Sequence, residues 1–359
     1  MGLHELTVRN FRLFDELVFT PDAGAVTVLL SPNGSGKTSV LEAVCALATG
    51  GSFRTPSASD LIRAGTDLAE VHGVLTQGER RVAIDLTMTR GVRATTKRML
   101  VNGLRPTSRA AVAEVLPLTV FTPEGIDIVR HGAEHRRTYL TTLLTDVDLT
   151  SGDVIERFAR VLTQRNALLR SSQGAPPSRS QRDELDVWTA DVAREGERLV
   201  TRRESTVAAL EPLVATFYEE LAHDDQAVGL RYERSWSGDL EKALHAVSGE
   251  DWRRGYTSLG PHRDDLALSL GGRDARRQAS QGEQRTLALA LRLAGHHLVQ
   301  QRRSLDPLLL LDDVFSELDP LRADRLLHLL PRGQTLVTTA TPLPSGMRPA
   351  VVVDLTERQ

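Results

Sequence analysis

The residues best equipped for chemistry stand eight in a row: Ser31-Pro32-Asn33-Gly34-Ser35-Gly36-Lys37-Thr38. They follow a short apolar run at 26–30 and open a segment of helical composition, TSVLEAVCALATG. Glycines let a loop turn its backbone N–H groups inward onto phosphate oxygens, a lysine reaches the β- and γ-phosphates, and a hydroxyl holds Mg2+. The partial positive charge of a helix beginning at Thr38 adds to the attraction. Asn33, Gly34, Ser35, Gly36, Lys37 and Thr38 are therefore the expected nucleotide contacts. Such loops ordinarily begin with glycine, and Ser31 in that place is expected to strain the loop or shift its path.

The run Leu308-Leu309-Leu310-Leu311-Asp312-Asp313 reads as a buried strand ending in paired carboxylates. Asp312 suits a Mg2+ ion held through water beside Thr38, and Asp313 suits the orientation or deprotonation of an attacking water. A third site, Ser280-Gln281-Gly282-Glu283-Gln284-Arg285, precedes the helical run TLALALRLA. Here two readings compete. Ser280 and Glu283 form the S-x-x-E of a capping box, which needs no ligand. The same Ser280 hydroxyl and Gly282 N–H could instead receive a γ-phosphate presented by another subunit.

Positioning these groups takes strands and helices in alternation. Strand patterns occupy 3–9, 14–20, 26–30, 68–76, 79–88, 97–102 and 117–121. From about 133 the apolar spacing becomes helical, interrupted by the Pro/Ser/Gly-rich stretch SSQGAPPSRSQ, which reads as a flexible loop. Strands return at 228–233, 264–270, 307–311, 335–340 and 350–355, with a helix at 282–300. The expected organisation is one α/β domain split by an insertion: head residues 1–132, a mostly helical insertion at 133–225, and head residues 226–359.

Composition limits the partners. The 359 residues include 44 basic and 47 acidic side chains, a net charge of −3, so any nucleic-acid contact must use a local patch. Arg130, His131, His135, Arg136 and Arg137, then Arg157, Arg160, Arg165 and Arg170, and finally Arg202 and Arg203 are the candidates. Against them stands the plain reading of a solvated arginine-rich face. The single cysteine, Cys45, sits among apolar helix residues, which excludes a disulfide scaffold and suits the core. The ten histidines show no metal-ligand spacing. No apolar run is long enough to span a membrane and the start lacks a signal-peptide pattern, so an intracellular, cytoplasmic protein is expected.

The three sites in this order resemble the ABC-type ATPases, whose LSGGQ-like signature lies upstream of the metal-binding strand. Ser316-Glu317-Leu318-Asp319 resembles their D-loop. Within that superfamily the chain is similar to the RecF family of bacterial recombination mediators. Asn10-Phe11-Arg12, Leu41-Glu42-Ala43, Ser52-Phe53-Arg54-Thr55, Phe121-Thr122-Pro123-Glu124, Arg136-Arg137 with Tyr139-Leu140, and Gly260-Pro261-His262-Arg263-Asp264-Asp265 carry the likeness. Two departures stand out: Gly282-Glu283 where that family generally has Gly-Gln, and Ser31. The usual switch histidine of ABC ATPases is replaced by Thr338, Thr339 or Thr341, as is typical of the family.

The resemblance implies an ABC-type P-loop ATPase head (lobe I) split by a helical lobe II. It implies ATP and Mg2+ as cofactors, with Arg12 as a further nucleotide contact. Hydrolysis would be slow, with Asp313 as catalytic base and Ser280 and Gly282 acting across an ATP-dependent homodimer. The implied partners are DNA, single- and double-stranded at gaps or junctions, and RecR- and RecO-type mediators, with no membrane. Two alternatives fail on length. An ABC transporter subunit needs only a short insert, whereas Lys37 and Ser280 lie 243 residues apart. A long-coiled-coil SMC-like ATPase needs far more heptad sequence than this insertion holds.

Overall fold

The computed structural model describes residues 2–78, 80–107, 109–171 and 176–355. Glu79, at the head of an expected strand, residues 172–175 of the expected loop, and the Glu317 side chain lie outside them. The chain divides into two compact units: residues 1–125, 220–223 and 289–359 form the first, and 126–219 with 224–288 the second.

The first unit contains two sheets. An antiparallel one joins β1 (Gly2–Phe11), β2 (Phe14–Phe19), β4 (Leu68–Gln77), β5 (Arg80–Arg90) and β6 (Thr95–Val101) in the order β2-β1-β4-β5-β6. A parallel one joins β3 (Val26–Leu30), β7 (Leu118–Phe121), β11 (Leu308–Asp312), β12 (Thr335–Thr339) and β13 (Val351–Val353) in the order β13-β3-β12-β11-β7. The largely apolar runs VTVLL and LLLLD follow from this, because parallel strands are covered on both faces.

Helix α1 (Lys37–Thr49) is buried from Ser39 through Ala48 and so shows no polar stripe. Its Val40, Leu41, Val44 and Leu47 share one core with Leu3, Leu6 and Val71 of the antiparallel sheet and with Leu29, Leu310 and Leu336 of the parallel one. Gly73 permits that approach, since a β-carbon there would stand 2.5 Å from Leu47 Cδ1. Burial pushes the Cys45 thiol up to about 11, in keeping with a core role. Two helices of this unit, α2 (Arg109–Val115) and α11 (Pro320–Leu329), are short and were not expected. For α11 the signal was present: the Asp319 carboxylate accepts from the Leu321 and Arg322 N–H groups, and proline opens the first turn.

The second unit holds α3 (Asp127–Arg130), α4 (Ala133–Val147), α5 (Ser151–Ser171), most of α6 (Arg179–Ala222), α7 (Leu240–Ala246), α8 (Ser248–Arg254), α9 (Ala275–Gln278) and the start of α10 (Gln281–Arg303). It also contains a small antiparallel sheet of β8 (Val228–Glu233), β9 (Asp265–Leu270) and β10 (Arg273–Asp274). This division departs from the expected boundaries at 133 and 225. Residues 226–288 pack with the helices: Trp236, Leu240 and Leu244 share a core with Phe158, Val192 and Val200. Ion pairs reinforce that packing, with Arg136 on Asp265 at 2.7 Å and Arg165 on Asp251 at 2.8 Å. The interruption is thus a mixed helical and β unit.

Candidate functional site

Strand β3 ends at Leu30, α1 begins at Lys37, and the loop between them turns through left-handed backbone at Gly34 (φ 86°) and Gly36 (φ 95°). Glycine is required twice over at position 36, because a β-carbon would also meet Phe14 Cζ at 2.6 Å. No side chain caps α1, leaving its first N–H groups for a ligand. Lys37 is buried and donates to the carbonyls of Ser31 (2.5 Å) and Pro32 (2.8 Å). Burial pulls its ammonium below the ordinary lysine value, against the upward pull of Asp313 and Asp312. The Ser35 hydroxyl is buried with no hydrogen-bond partner.

The expected strain at Ser31 is not found. Ser31 is not among the residues with left-handed backbone, so glycine's freedom is not needed there. Its hydroxyl donates to Asp354 Oδ1 (2.9 Å) and accepts from the Leu355 N–H (2.8 Å), fastening the chain after β13 to the start of the loop.

At the end of β11, Asp312 Oδ1 accepts from both Thr38 (2.8 Å) and Thr338 (2.7 Å). Parallel pairing in register, Asp312 against Thr338, brings the second threonine there. Burial holds the Asp312 carboxyl above its usual range despite these bonds. Asp313 takes a left-handed conformation (φ 49°), and its N–H donates to the Thr338 carbonyl and hydroxyl. Asp313 Oδ1 is buried and unpartnered. Thr38, Asp312 and Asp313 therefore converge as expected, and Thr338 is the threonine that joins them.

Arg12, the further expected nucleotide contact, packs beside α1. Its Nε and Nη2 donate to Glu42 (2.9 and 2.5 Å) and its Nη1 to the Asp60 carbonyl (2.9 Å), so all three nitrogens are engaged within the protein. Glu42 is fully buried on α1 and also accepts from Ser52 Oγ at 2.6 Å. Three separate stretches of sequence, around Arg12, Glu42 and Ser52, thus form one brace behind the loop's helix.

Ser280 and Gly282 lie in the second unit, Lys37 and Asp312 in the first. Ser280 is exposed and forms the reciprocal capping box: its N–H donates to Glu283 Oε2 (2.6 Å) and its hydroxyl accepts from the Glu283 N–H (3.3 Å). The Ser280 backbone bond holds the Glu283 carboxyl below its usual range. Glu283 therefore closes the helix cap. Gln284 reaches back to the carbonyls of Ala275 and Arg276, fixing the approach to α10.

The basic candidates separate into two groups. Arg136, Arg165 and Arg203 are buried and spent on structure: Arg136 on Asp265, Arg165 on Asp251 and Thr257, and Arg203 on the Pro261 carbonyl. Arg137 donates to the Asp264 carbonyl, and His262 Nε2 lies 3.0 Å from the Thr257 carbonyl, shaping its own turn. G-P-H-R-D-D is in this way a clasp inside the second unit. Arg130, Arg157, Arg160 and Arg170 remain exposed. Arg157, Arg202 and Arg198 line a groove of about 520 Å3 with Thr150, Thr201, Val154 and Asp153, where Arg202 pairs with Asp148 and Arg198 with Glu195. No described helix is long and apolar enough to cross a membrane.

The pattern of the RecF/RecN/SMC N-terminal domain family matches residues 2–343. The DNA replication and repair protein RecF of Geobacter sulfurreducens is 38% identical over 352 residues, which cover 94% of this chain and 93% of that protein. The protein of the same name from Streptomyces avermitilis is 34% identical over 353 residues, covering 95% and 93%. Among solved structures, the recombination mediator protein RecF with ATP in the RecFOR pathway superposes with a TM-score of 0.89 at 26% identity, covering 98% of this chain and 94% of that one.

Proposed function

The chain belongs to the RecF family within the RecF/RecN/SMC group, and from that premise we propose that it is an ATP-dependent DNA-binding protein of recombinational repair and replication restart. It helps load recombinase at gaps or junctions in the cytoplasm, alongside RecO- and RecR-type mediators. The observation that carries the reading is the convergence of Lys37, Ser35, Thr38, Asp312 and Asp313 with buried polar atoms left unpaired.

The amides from Asn33 to Gly36, with Lys37, suit the phosphates of ATP. Thr38 and Asp312 suit Mg2+, which when bound neutralises phosphate charge. Asp313 has an unpartnered oxygen able to take the proton of an attacking water as the bond to the γ-phosphorus forms and the bond to ADP breaks. Arg12 acts through Glu42, holding α1 in place. Ser280 and Gly282 of a second copy complete each site, so ATP closes a symmetric dimer and slow hydrolysis releases it. DNA is held by exposed arginines through phosphate contacts, with steep salt dependence and no preferred base sequence.

Sedimentation velocity tests this reading. Wild type should dimerise with ATP–Mg2+, Asp313→Asn should remain dimeric long after ATP addition, and Ser280→Arg should bind ATP yet stay monomeric. Dimerisation of Ser280→Arg with ATP would leave Ser280 a helix cap and nothing more.

A further inference from the structure

Away from the nucleotide site, at the corner between α3 and α4, Asp127, His131 and His135 gather one ligand atom each within 4.8 Å of one another. We propose that this corner is a binding site for a borderline divalent transition metal of the Zn2+ type. The inference is independent of the function proposed above.

In sequence the three stand as Asp-x3-His-x3-His, so the expectation that the histidines show no metal-ligand spacing is corrected, although the three residues do not share one helix. Helix α3 ends at Arg130, His131 and Gly132 are extended (ψ −178° and 176°), and α4 starts at Ala133. The break redirects the chain so that the imidazole of His135 meets that of His131 edge to face, with ring centroids 4.7 Å apart. His131 Nε2 already lies 3.5 Å from Asp127 Oδ1. Nitrogen and oxygen ligands about 2.0–2.1 Å from a tetrahedral metal stand roughly 3.3 Å apart. The pair is nearly at that separation, and closing the third side requires only rotation of exposed imidazoles.

The backbone beneath is fixed in advance. Buried Arg136 donates to the His131 carbonyl at 2.8 Å while its charge is matched by Asp265. Arg276 donates to the Arg130 carbonyl at 3.1 Å, and the His135 N–H to the Gly132 carbonyl at 3.2 Å. A corner held this way presents its ligands with little ordering left to do on binding.

Two imidazoles and one carboxylate choose the metal class. Mg2+ and Ca2+ take oxygen ligands almost exclusively, whereas imidazole nitrogen favours Zn2+, Co2+ and Ni2+. Three protein ligands at an exposed position leave one or more coordination places for water or for a donor from another molecule.

The test uses the full chain, stripped with chelator and free of nucleotide. Zn2+ is titrated against a competing chromophoric chelator, and Co2+ is followed by its visible d–d bands. The expected result is one equivalent of Zn2+ per chain, Co2+ bands of a nitrogen/oxygen site, and a melting temperature that rises with Zn2+. His131→Gln and His135→Gln, both at exposed positions, should keep the wild-type circular dichroism and weaken Zn2+ by about tenfold or more. Asp312→Asn should bind Zn2+ as wild type does, which locates the ion away from the nucleotide site. Absence of stoichiometric binding, or binding as tight as wild type by both histidine variants, would overturn the proposal.

Discussion

In the second unit, the buried carboxylate of Asp251 meets Arg165, Asp265 meets Arg136, and Asp264 accepts from the Tyr232 hydroxyl and the Ser235 N–H. In the first, Asp312 and Asp313 stand side by side with threonine hydroxyls and backbone as their partners, and Lys37 is held by carbonyl oxygens. Both regions are dense in buried charge, and both are written in conspicuous motifs. Asp251 and Asp265 differ from Asp312 and Asp313 in having an arginine in direct ion pair, whereas Asp264 has neutral donors and, like Asp312, is held above its usual range by burial. A buried ion without a direct counter-ion costs several kcal/mol, which makes Asp312, Asp313 and Lys37, gathered at one loop, candidates for a ligand. A matched set holds elements together.

The largest effect is expected at Arg165, whose side chain and that of Asp251 are fully inaccessible. Arg165→Met strands the carboxylate and should cost about 3–5 kcal/mol in urea unfolding. ATP affinity should stay at the wild-type level. Asp312 should behave in the opposite sense. Its carboxyl titrates above the ordinary range when folded, so the folded state binds that proton more tightly than the unfolded chain does, and the penalty for its charge is full at neutral pH. Asp312→Asn should therefore stabilise the apoprotein by about 1 kcal/mol at pH 7, with the gain fading as pH falls through the carboxylate range. For Asp265, burial pushes the carboxyl up but Arg136, the Leu266 N–H and Arg137 together more than offset it, so its stabilisation is present at neutral pH and lost in acid. Melting curves across pH would separate the two carboxylates by sign. Ser31→Gly should have the smallest effect. Loss of the bonds to Asp354 and the Leu355 N–H should cost about 1 kcal/mol in denaturant unfolding while changing ATP affinity less than about threefold.

Much of the fold was legible because parallel strands write apolar runs, as at 26–30 and 308–312, and because the helix at 37–49 follows a Gly-rich turn and is closed by glycine. The loop, Asp312 and Asp313 were legible because phosphate chemistry demands those residue types. The limits of the second unit were not, since they depend on pairings such as Arg136 with Asp265, 129 residues apart, that no local period records. The Arg12–Glu42 pair is hidden for the same reason, its two residues standing 30 positions apart. Ser31 illustrates a third limit, because a motif names the common residue while the backbone angle decides whether it is needed.

The most direct measurement is the melting temperature of wild type and Lys37→Met, each with and without saturating ATP–Mg2+. A ligand that binds only the folded state at a hundred times its dissociation constant stabilises by about 2.7 kcal/mol. Wild type should therefore melt several degrees higher with nucleotide. Lys37→Met should melt at or above the wild-type apo value, because a desolvated ammonium is gone, and should gain nothing from ATP. Equal nucleotide-induced gains in the two proteins would contradict the assignment of the unpaired cluster in the first unit to a ligand.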